Sequence, residues 1–592
     1  MAAPSLSVTA PSVVKARLRA FTTAVSARGF AVVTIVIVAL LVGVPVAFMV
    51  VSSFRGPGTV LPLAPAAEWT TENYGEVIST SLVNTAGDTL VFVLGSLLVA
   101  VGFGLPLAYL LERTDLPGRR LLLLFLFAPL LLAPITNAQA WSVLISPETG
   151  LLNEALRLVI PVDRGPLDTQ SALGMVLAQG LTYVPMVALF LGPALANVDA
   201  PLEEASRTSG AGPLTTFRRV TLKLLAPAIL SVTLLLAVFL LGQFEIPLVF
   251  GLGSGLQPLG IVIYNLLNPP ASVPSYGQIA AYSTLMTTVS YGLILVYGFM
   301  TRRGDRFATV TGKGHRAKLN SLGTWRWPAF LAVGGFLFLT AGMRLFVIVW
   351  QSLLPFRGPV SWDTFREQAS LDSYRQVLED ERFMEAVQVT AIVAIGSAVI
   401  TTLVGLAMAW VVARSGSGRL RRRSLDLLAS SSLAVPSPVA AFAFLLLFLA
   451  LNRFLPLYGS MFALMVAYCF RVGVAYRMSS AALLQIGNQL EEASALSGGS
   501  PFTTFRRVVL PLLAPTIVVL LVLGLVTGIN EFTVPLFLSS QGPQPLSVYT
   551  YGLLSNQQQS AAAAAGVLTL VTVLVMAGVA AWAGRRLRGG TR

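Results

Sequence analysis

The sequence predicts an all-α, polytopic membrane protein: about twelve transmembrane helices built as two parallel six-helix repeats. Three observations carry that expectation. The 592 residues are 55% hydrophobic and only 11% charged. Apolar runs long enough to cross a bilayer recur along the whole chain. One polar segment of 25 residues occurs twice.

A mean hydropathy of +0.76 with so few charges leaves too little polar surface to cover several soluble domains, since soluble proteins carry about 25% charged residues. The composition therefore excludes a cytosolic enzyme, a disordered scaffold and a secreted module. The net charge of +14 sits in short clusters between apolar runs, as in cytoplasmic loops, and gives no reason to expect a nucleic-acid partner. Cys469 is the single cysteine and His315 the single histidine, which excludes an intrachain disulfide and a Cys/His zinc site. No metal site is expected. The apolar run from Phe30 to about Ser52 is too long for the core of a cleavable signal and reads as a retained first span.

A span needs roughly 20 apolar residues. Spans 1 to 6 are expected near 30–52, 89–111, 121–142, 171–197, 224–249 and 278–300. Spans 7 to 12 are expected near 329–353, 386–412, 427–452, 459–483, 512–537 and 561–583. Proline and polar residues interrupt spans 3 and 9, at Pro134, Asn137 and Gln139 and at Pro436 and Pro438. Basic residues mark alternate loops: Lys15, Arg17, Arg19 and Arg28; Arg113, Arg119 and Arg120; Arg302 to Arg326; Arg419 to Arg423; and Arg585 to Arg592. The intervening loops are acidic or neutral, with Glu68, Glu72 and Glu76 in one and Asp372 to Glu385 in another. Positive loops stay in the cytoplasm, so both termini are expected there. The expected division is a tail (1–29), a first half (30–300), a basic linker (301–328), a second half (329–584) and a basic tail (585–592).

Glu203–Pro227 reads EEASRTSGAGPLTTFRRVTLKLLAP and Glu491–Pro515 reads EEASALSGGSPFTTFRRVVLPLLAP. They align without gaps at an offset of 288, and only seven of the 25 positions differ. The match resumes at Phe244–Leu248 and Phe532–Leu536. The chain is therefore a tandem duplication. Six spans per unit is an even number, so the two halves enter the membrane in the same sense and relate by a pseudo-twofold axis along its normal. Both copies of the loop fall between the fourth and fifth spans of their half, on the cytoplasmic side. The acidic start suits a helix N-terminus. Gly210 and Gly212, or Gly498 and Gly499, permit a sharp turn, and Pro213 or Pro501 suits the first turn of a second helix. The expected product is two short helices joined by a glycine elbow, with Arg218-Arg219 and Arg506-Arg507 ending the second near the interface.

At these residues the chain resembles the permease subunits of binding-protein-dependent ABC importers, whose "EAA" loop runs E-A-A, three residues, G, nine residues, I-x-L-P. Glu492-Ala493-Ser494, Gly498, Val508 and Leu510-Pro511 follow it. Glu204-Ala205-Ser206, Gly210, Val220 and Leu222 follow it until Lys223 stands in place of proline, and serine replaces the second alanine in both. The layout is similar to the fused ferric-iron permeases, with thiamine-type permeases as relatives. Gly104–Leu110, Asp115–Arg120 and Thr311–Gly314 are further similarities. The resemblance implies a type I importer permease fold in a bacterial inner membrane, and a coupling role for Glu203, Glu204, Ala205, Ser206, Gly210, Glu491, Glu492, Ala493, Ser494 and Gly498. It implies two copies of a cytoplasmic ABC ATPase and an extracytoplasmic solute-binding protein as partners. The chain has no G-x-x-x-x-G-K-[ST] loop, so no catalytic residue and no cofactor is expected here; ATP and Mg belong to the ATPase.

Ionisable residues within spans mark pathways or structural pairs. Glu531 aligns with Gln243, and Thr533 with Glu245, toward the outer ends of spans 11 and 5. Arg471, in span 10, is placed to pair with Glu531 or to face an anionic substrate. These five residues form the candidate substrate pathway. Arg344 and Arg477 are expected to snorkel or pair. No span presents the carboxylate, tyrosine and histidine cluster that would hold bare Fe³⁺ tightly, so ferric iron rests on resemblance. Thiamine, polyamine, phosphonate or another small solute stays open as cargo. An ion-coupled secondary transporter is the reading from another class, and it leaves the duplicated loop without a purpose.

Overall fold

A computed structural model describes residues 29–56, 61–62, 64, 66–80, 82–127, 131–157, 165–198, 200–304, 319–356, 362–414, 419–485, 489–499, 501–539 and 542–589. The N-terminal tail to residue 28 and linker residues 305–318 lie outside them.

The described chain is helical apart from a two-stranded antiparallel ladder, Arg55–Gly56 with Glu68–Trp69. Among the described residues nine helices are long and apolar enough to cross a membrane, and two bent helix pairs raise the number to eleven. The expected twelfth is span 3. It is two separate helices, Arg119–Phe127 and Pro134–Leu144, with residues 128–130 outside the described set. Span 9 is bent by 104° between Arg422–Ala434 and Ser437–Leu451. The cause is local: Val435, before Pro436, takes an extended ψ of 118°, because a following proline disfavours the helical region.

Spans 5 and 11 end earlier than expected, at Leu241 and Ile529 rather than 249 and 537. Gly242-Gln243-Phe244 and Asn530-Glu531-Phe532 follow as breaks, and then the short helices Glu245–Phe250 and Thr533–Leu538. The final helix runs on to Gly589.

The first span of each half is exchanged. Span 1 (Gly29–Ser52) lies against span 6 and the Ser437–Leu451 limb of span 9, whereas span 7 (Gly323–Ser352) lies against span 12 and Pro134–Leu144 of span 3. Each carries a π-helical turn at the same place, Ala39–Gly43 and Phe338–Gly342. Each is also tied by matching hydroxyl contacts, Ser53 to Tyr74 and Ser352 to Tyr374, both at 2.7 Å. Within each half, span 2 or 8 meets its neighbour through glycine. A Cβ on Gly104 would come within 2.6 Å of Val187, and one on Gly405 within 2.6 Å of Ala475. Van der Waals packing at small residues drives helix association where the lipid offers no hydrophobic gain.

Candidate functional site: the duplicated loops and the axial break

In the first loop, helix Ala200–Thr208 ends at Gly210 with φ +84°, and the chain re-enters a helix at Pro213. In the second, helix Gln489–Leu496 ends at Gly498 with φ +79°, and re-entry is at Pro501. The elbow glycines are thus Gly210 and Gly498; Gly212 and Gly499 have no positive φ. The elbows are clasped alike. Ser206 Oγ meets Thr216 Oγ1 at 3.1 Å, and Ser494 Oγ meets Thr504 Oγ1 at 2.8 Å. That contact gives a reason for serine where the family pattern has alanine.

Arg218-Arg219 and Arg506-Arg507 do not end the second helix. They lie in π-turns, Phe217–Thr221 and Phe505–Val509, that run directly into the spans. In the first half the helix is continuous from Phe217 to Leu241. A helix of that length spans about 37 Å, so loop and axis are the two ends of one rigid element.

The two glutamates of the first loop diverge. Glu203 is buried: Arg113 Nη2 donates to its Oε2 at 2.5 Å, and Thr221 Oγ1 donates to its Oε1 at 2.6 Å. Arg113, fully buried, also donates from Nη1 to the Val198 carbonyl at 3.2 Å. Glu203 therefore holds the loop against the end of span 2 and presents no carboxylate to a partner. Glu204 and Ala205 are exposed, and Ser206 is half-buried. In the second copy Ala493 is exposed and Ser494 half-buried; the side chains of Glu491 and Glu492 lie outside the described set.

The breaks in spans 5 and 11 meet at the axis between the halves. Phe244 and Phe532, equivalent in the two repeats, stack at 5.9 Å with planes 13° apart. Phe537 closes edge-on against Phe244, and Tyr551 against Phe532. Beside this aromatic plug, Thr533 Oγ1 donates to Glu245 Oε1 at 3.0 Å, and the Phe244 amide donates to Glu245 Oε2 at 3.3 Å. Glu531 is ion-paired with Arg471 and accepts the Val534 amide at 3.1 Å. Arg471 sits in a short 3₁₀ turn, Cys469–Arg471, of the kind that marks a hinge within a helix. Its Nη2 also reaches Ser437 Oγ, beside the span 9 break, at 3.4 Å.

Four of the five candidate pathway residues, Glu245, Thr533, Glu531 and Arg471, thus share one site. Gln243 lies half-buried in the adjoining break. Sequence reading missed Tyr468. Tyr468 stands three residues before Arg471, the helical spacing that shares a face, and that was the available signal.

Arg344 does not snorkel. It is fully buried, donates from Nε to the Thr340 carbonyl and from Nη1 to Asn137 Oδ1, both at 2.5 Å, and lies 5.4 Å over the Trp141 ring. Arg477 pairs with Asp426 at 3.6 Å.

The profile of the family described as "Binding-protein-dependent transport system inner membrane component" matches residues 91–310 and 382–589, one match in each half. A ferric transport system permease protein FbpB of Actinobacillus pleuropneumoniae is 25% identical over 407 residues, covering 68% of this chain and 57% of that protein. The chain thus spans little more than half the length of this relative. A probable ABC transporter permease protein of Sinorhizobium fredii, y4fN, is 26% identical over 513 residues, covering 83% of this chain and 84% of its own. A probable molybdenum ABC transporter permease protein of Haloferax volcanii is 35% identical over 182 residues, covering 30% of this chain and 61% of its own. With a family match in both halves that takes in most of the residues, the chain belongs to the binding-protein-dependent transport system inner membrane components, the multi-pass permeases of ABC importers.

Proposed function

We propose that this chain forms the transmembrane pathway of an ATP-driven importer, working by alternating access on a solute handed over by an extracytoplasmic binding protein. The observation that carries the proposal is the unbroken helix from the first glycine elbow to the axial plug. A displacement of the loop is a displacement of the break that holds Phe244 and Glu245. Two elbows related by a twofold suit two copies of one ATPase subunit, seated on the cytoplasmic face with both termini of this chain. Closure of those subunits on ATP would draw the loops together and part the Phe244–Phe532 stack; hydrolysis would reset it. The stacked rings are the closed gate.

The relationship to a ferric transport permease and an acidic axis support ferric iron as cargo. The test is reconstitution with the ATPase and binding protein that accompany this chain. Gly210→Pro, or Glu204→Lys combined with Glu492→Lys, lowers uptake and stimulated ATPase activity without lowering membrane expression. Normal coupling in the double glutamate variant would refute the docking role. Uptake that survives ATP depletion while an ion gradient is maintained would favour a secondary transporter.

A further inference from the structure

We infer that the axial site is a transient binding site for a hard, multivalent cation, and that Arg471 is its built-in counter-charge, displaced when cargo arrives. The inference rests on the importer reading and names the substrate class for this site. Two buried carboxylates, Glu245 and Glu531, come from equivalent breaks of the two halves and lie within electrostatic reach of each other. No basic side chain contacts Glu245 among the described residues; its partners are a hydroxyl and an amide. An ionisable group so placed in a span is costly, and it persists for function.

A second observation points to a ligand. The Tyr468 hydroxyl is buried with no hydrogen-bond partner among the described residues, and it lies within electrostatic reach of both Glu531 and Arg471. Asn530 Oδ1, adjoining Glu531, is likewise buried and without a partner. Carboxylate, phenol and amide oxygens are all hard donors, the set that suits hard cations rather than soft metals. Arg471 differs from its carboxylate partner in one respect: its side chain is 44% exposed, whereas that of Glu531 is 5% exposed. The guanidinium can leave, and the carboxylate cannot. With Arg471 in place the Glu531 carboxylate is paired; withdrawal of the guanidinium opens it to a cation beside Glu245. A multivalent cation exchanges for the guanidinium against the carboxylate, and re-entry of the guanidinium expels it. A site that releases its ion in this way conducts rather than stores.

The oxyanion alternative, suggested by the relationship to a molybdenum permease, would require Arg471 to be the binding group and both carboxylates to repel the cargo. The experiment is Tb³⁺ titration of the purified full-length chain in detergent, read by tyrosine-sensitised luminescence, with molybdate titrated in parallel. Tb³⁺ affinity falls by about tenfold or more in Glu245→Gln/Glu531→Gln and severalfold in Tyr468→Phe, while Arg471→Gln tightens it; a tenfold change is the scale of one charge-assisted contact. Tb³⁺ binding unchanged in the double glutamine variant would mean adventitious surface binding and overturn the inference. So would molybdate binding that Arg471→Gln abolishes. Neither result touches the coupling of the loops to ATP hydrolysis, so the importer reading stands or falls separately.

Discussion

Thr533 donates a 3.0 Å hydrogen bond to Glu245 across a sequence separation of 288 residues, the same offset that separates the two copies of the loop. Equivalent residues of two repeats touch only beside the axis that relates them, so this contact marks the axis. The duplication has diverged there: one half keeps the carboxylate and the other supplies its donor. Thr533→Val should lower the thermal midpoint of the chain, because a hydrogen bond to a charged group contributes about 1.5–3 kcal/mol. Thr533→Ser should restore it. Equal midpoints for Val and Ser would show that the hydroxyl does not hold Glu245.

The buried Arg113–Glu203 pair ties the first loop to span 2. Removing one partner leaves a buried charge uncompensated, at a cost of about 3–5 kcal/mol. Glu203→Gln and Arg113→Met are each expected to reduce stability by that order, and the Arg113→Met/Glu203→Leu combination to recover much of it. Glu204→Gln, one residue along on the exposed face, should leave the thermal midpoint unmoved. Its effect belongs in the stimulated ATPase rate.

How much of this was legible follows from what each residue must do. The loops were readable because an elbow at positive φ, a hydroxyl clasp and a helix start each admit few residue types, so Gly210/Gly498, Ser206/Ser494 and Thr216/Thr504 repeat at one offset. The repeat in the earlier spans was not. Gly95 matches Gly396 and Gly104 matches Gly405 only at a separation of 301, because the first half carries a longer connection between spans 3 and 4. There Asn153 is fully buried and bonds the Ser146 and Leu167 carbonyls. Lipid-facing positions accept Leu, Val or Ile alike, so they keep no register. The Arg471–Glu531 pair was anticipated because two charges in adjacent spans attract attention. The exchange of first spans was not legible, because Arg344 and Gln351 meet Asn137 and Ser560 more than 200 residues away, and nothing in their spacing pairs them. The helix breaks were half legible: Pro436 and Pro134 announce theirs, whereas the breaks at Gly242-Gln243-Phe244 and Asn530-Glu531-Phe532 contain no proline.

Gly498 has φ +79°, and a Cβ built on it meets nothing within 4 Å. Any cost of substitution is therefore backbone conformation alone, about 1–2 kcal/mol for an ordinary L-residue in the left-handed region. Gly498→Val should uncouple ATP hydrolysis from transport, while Gly498→Asn, which tolerates that region, should retain coupling. Gly212→Ala, at a position without positive φ, serves as the neutral comparison. A Val variant with wild-type coupling would mean that the elbow need not be rigid.

At the opposite face, Arg382 grips Asp380 through Nε and Nη2, each at 3.1 Å, and Tyr549 Oη donates to Asp380 Oδ2 at 3.0 Å. Partial burial pushes the Asp380 carboxyl up, but the hydrogen bonds from Arg382 and Tyr549 outweigh it and hold the carboxyl below its ordinary value. A depressed folded pKa means that stability is present above the unfolded value of about 3.9 and is lost as pH falls through the folded value. The gap in thermal midpoint between wild type and Asp380→Asn should be full near neutral pH and close in acid below the unfolded value. A gap independent of pH would assign the loss to packing.

The two levers differ in shape. Span 11 bends by 70° between Phe505–Leu512 and Ala514–Ile529, and span 5 does not. Both carry a proline at the equivalent positions 227 and 515, but only the second half has another at Pro511, where the first has Lys223. Two prolines four residues apart remove two successive backbone donors from one face of the helix, which is enough to open it at Leu513, whose ψ is 1°. Pro511→Lys should therefore straighten span 11. With spin labels at Arg506 and Thr527 and Cys469 replaced, the interlabel distance is expected to lengthen by about 5 Å, the difference between a bent and a straight run at 1.5 Å per residue. An unchanged distance would mean that docking against span 8, rather than proline, sets the bend. If the helix does straighten, the two halves transmit loop motion equally, and any change in the stimulated ATPase rate measures what the bend contributes to coupling.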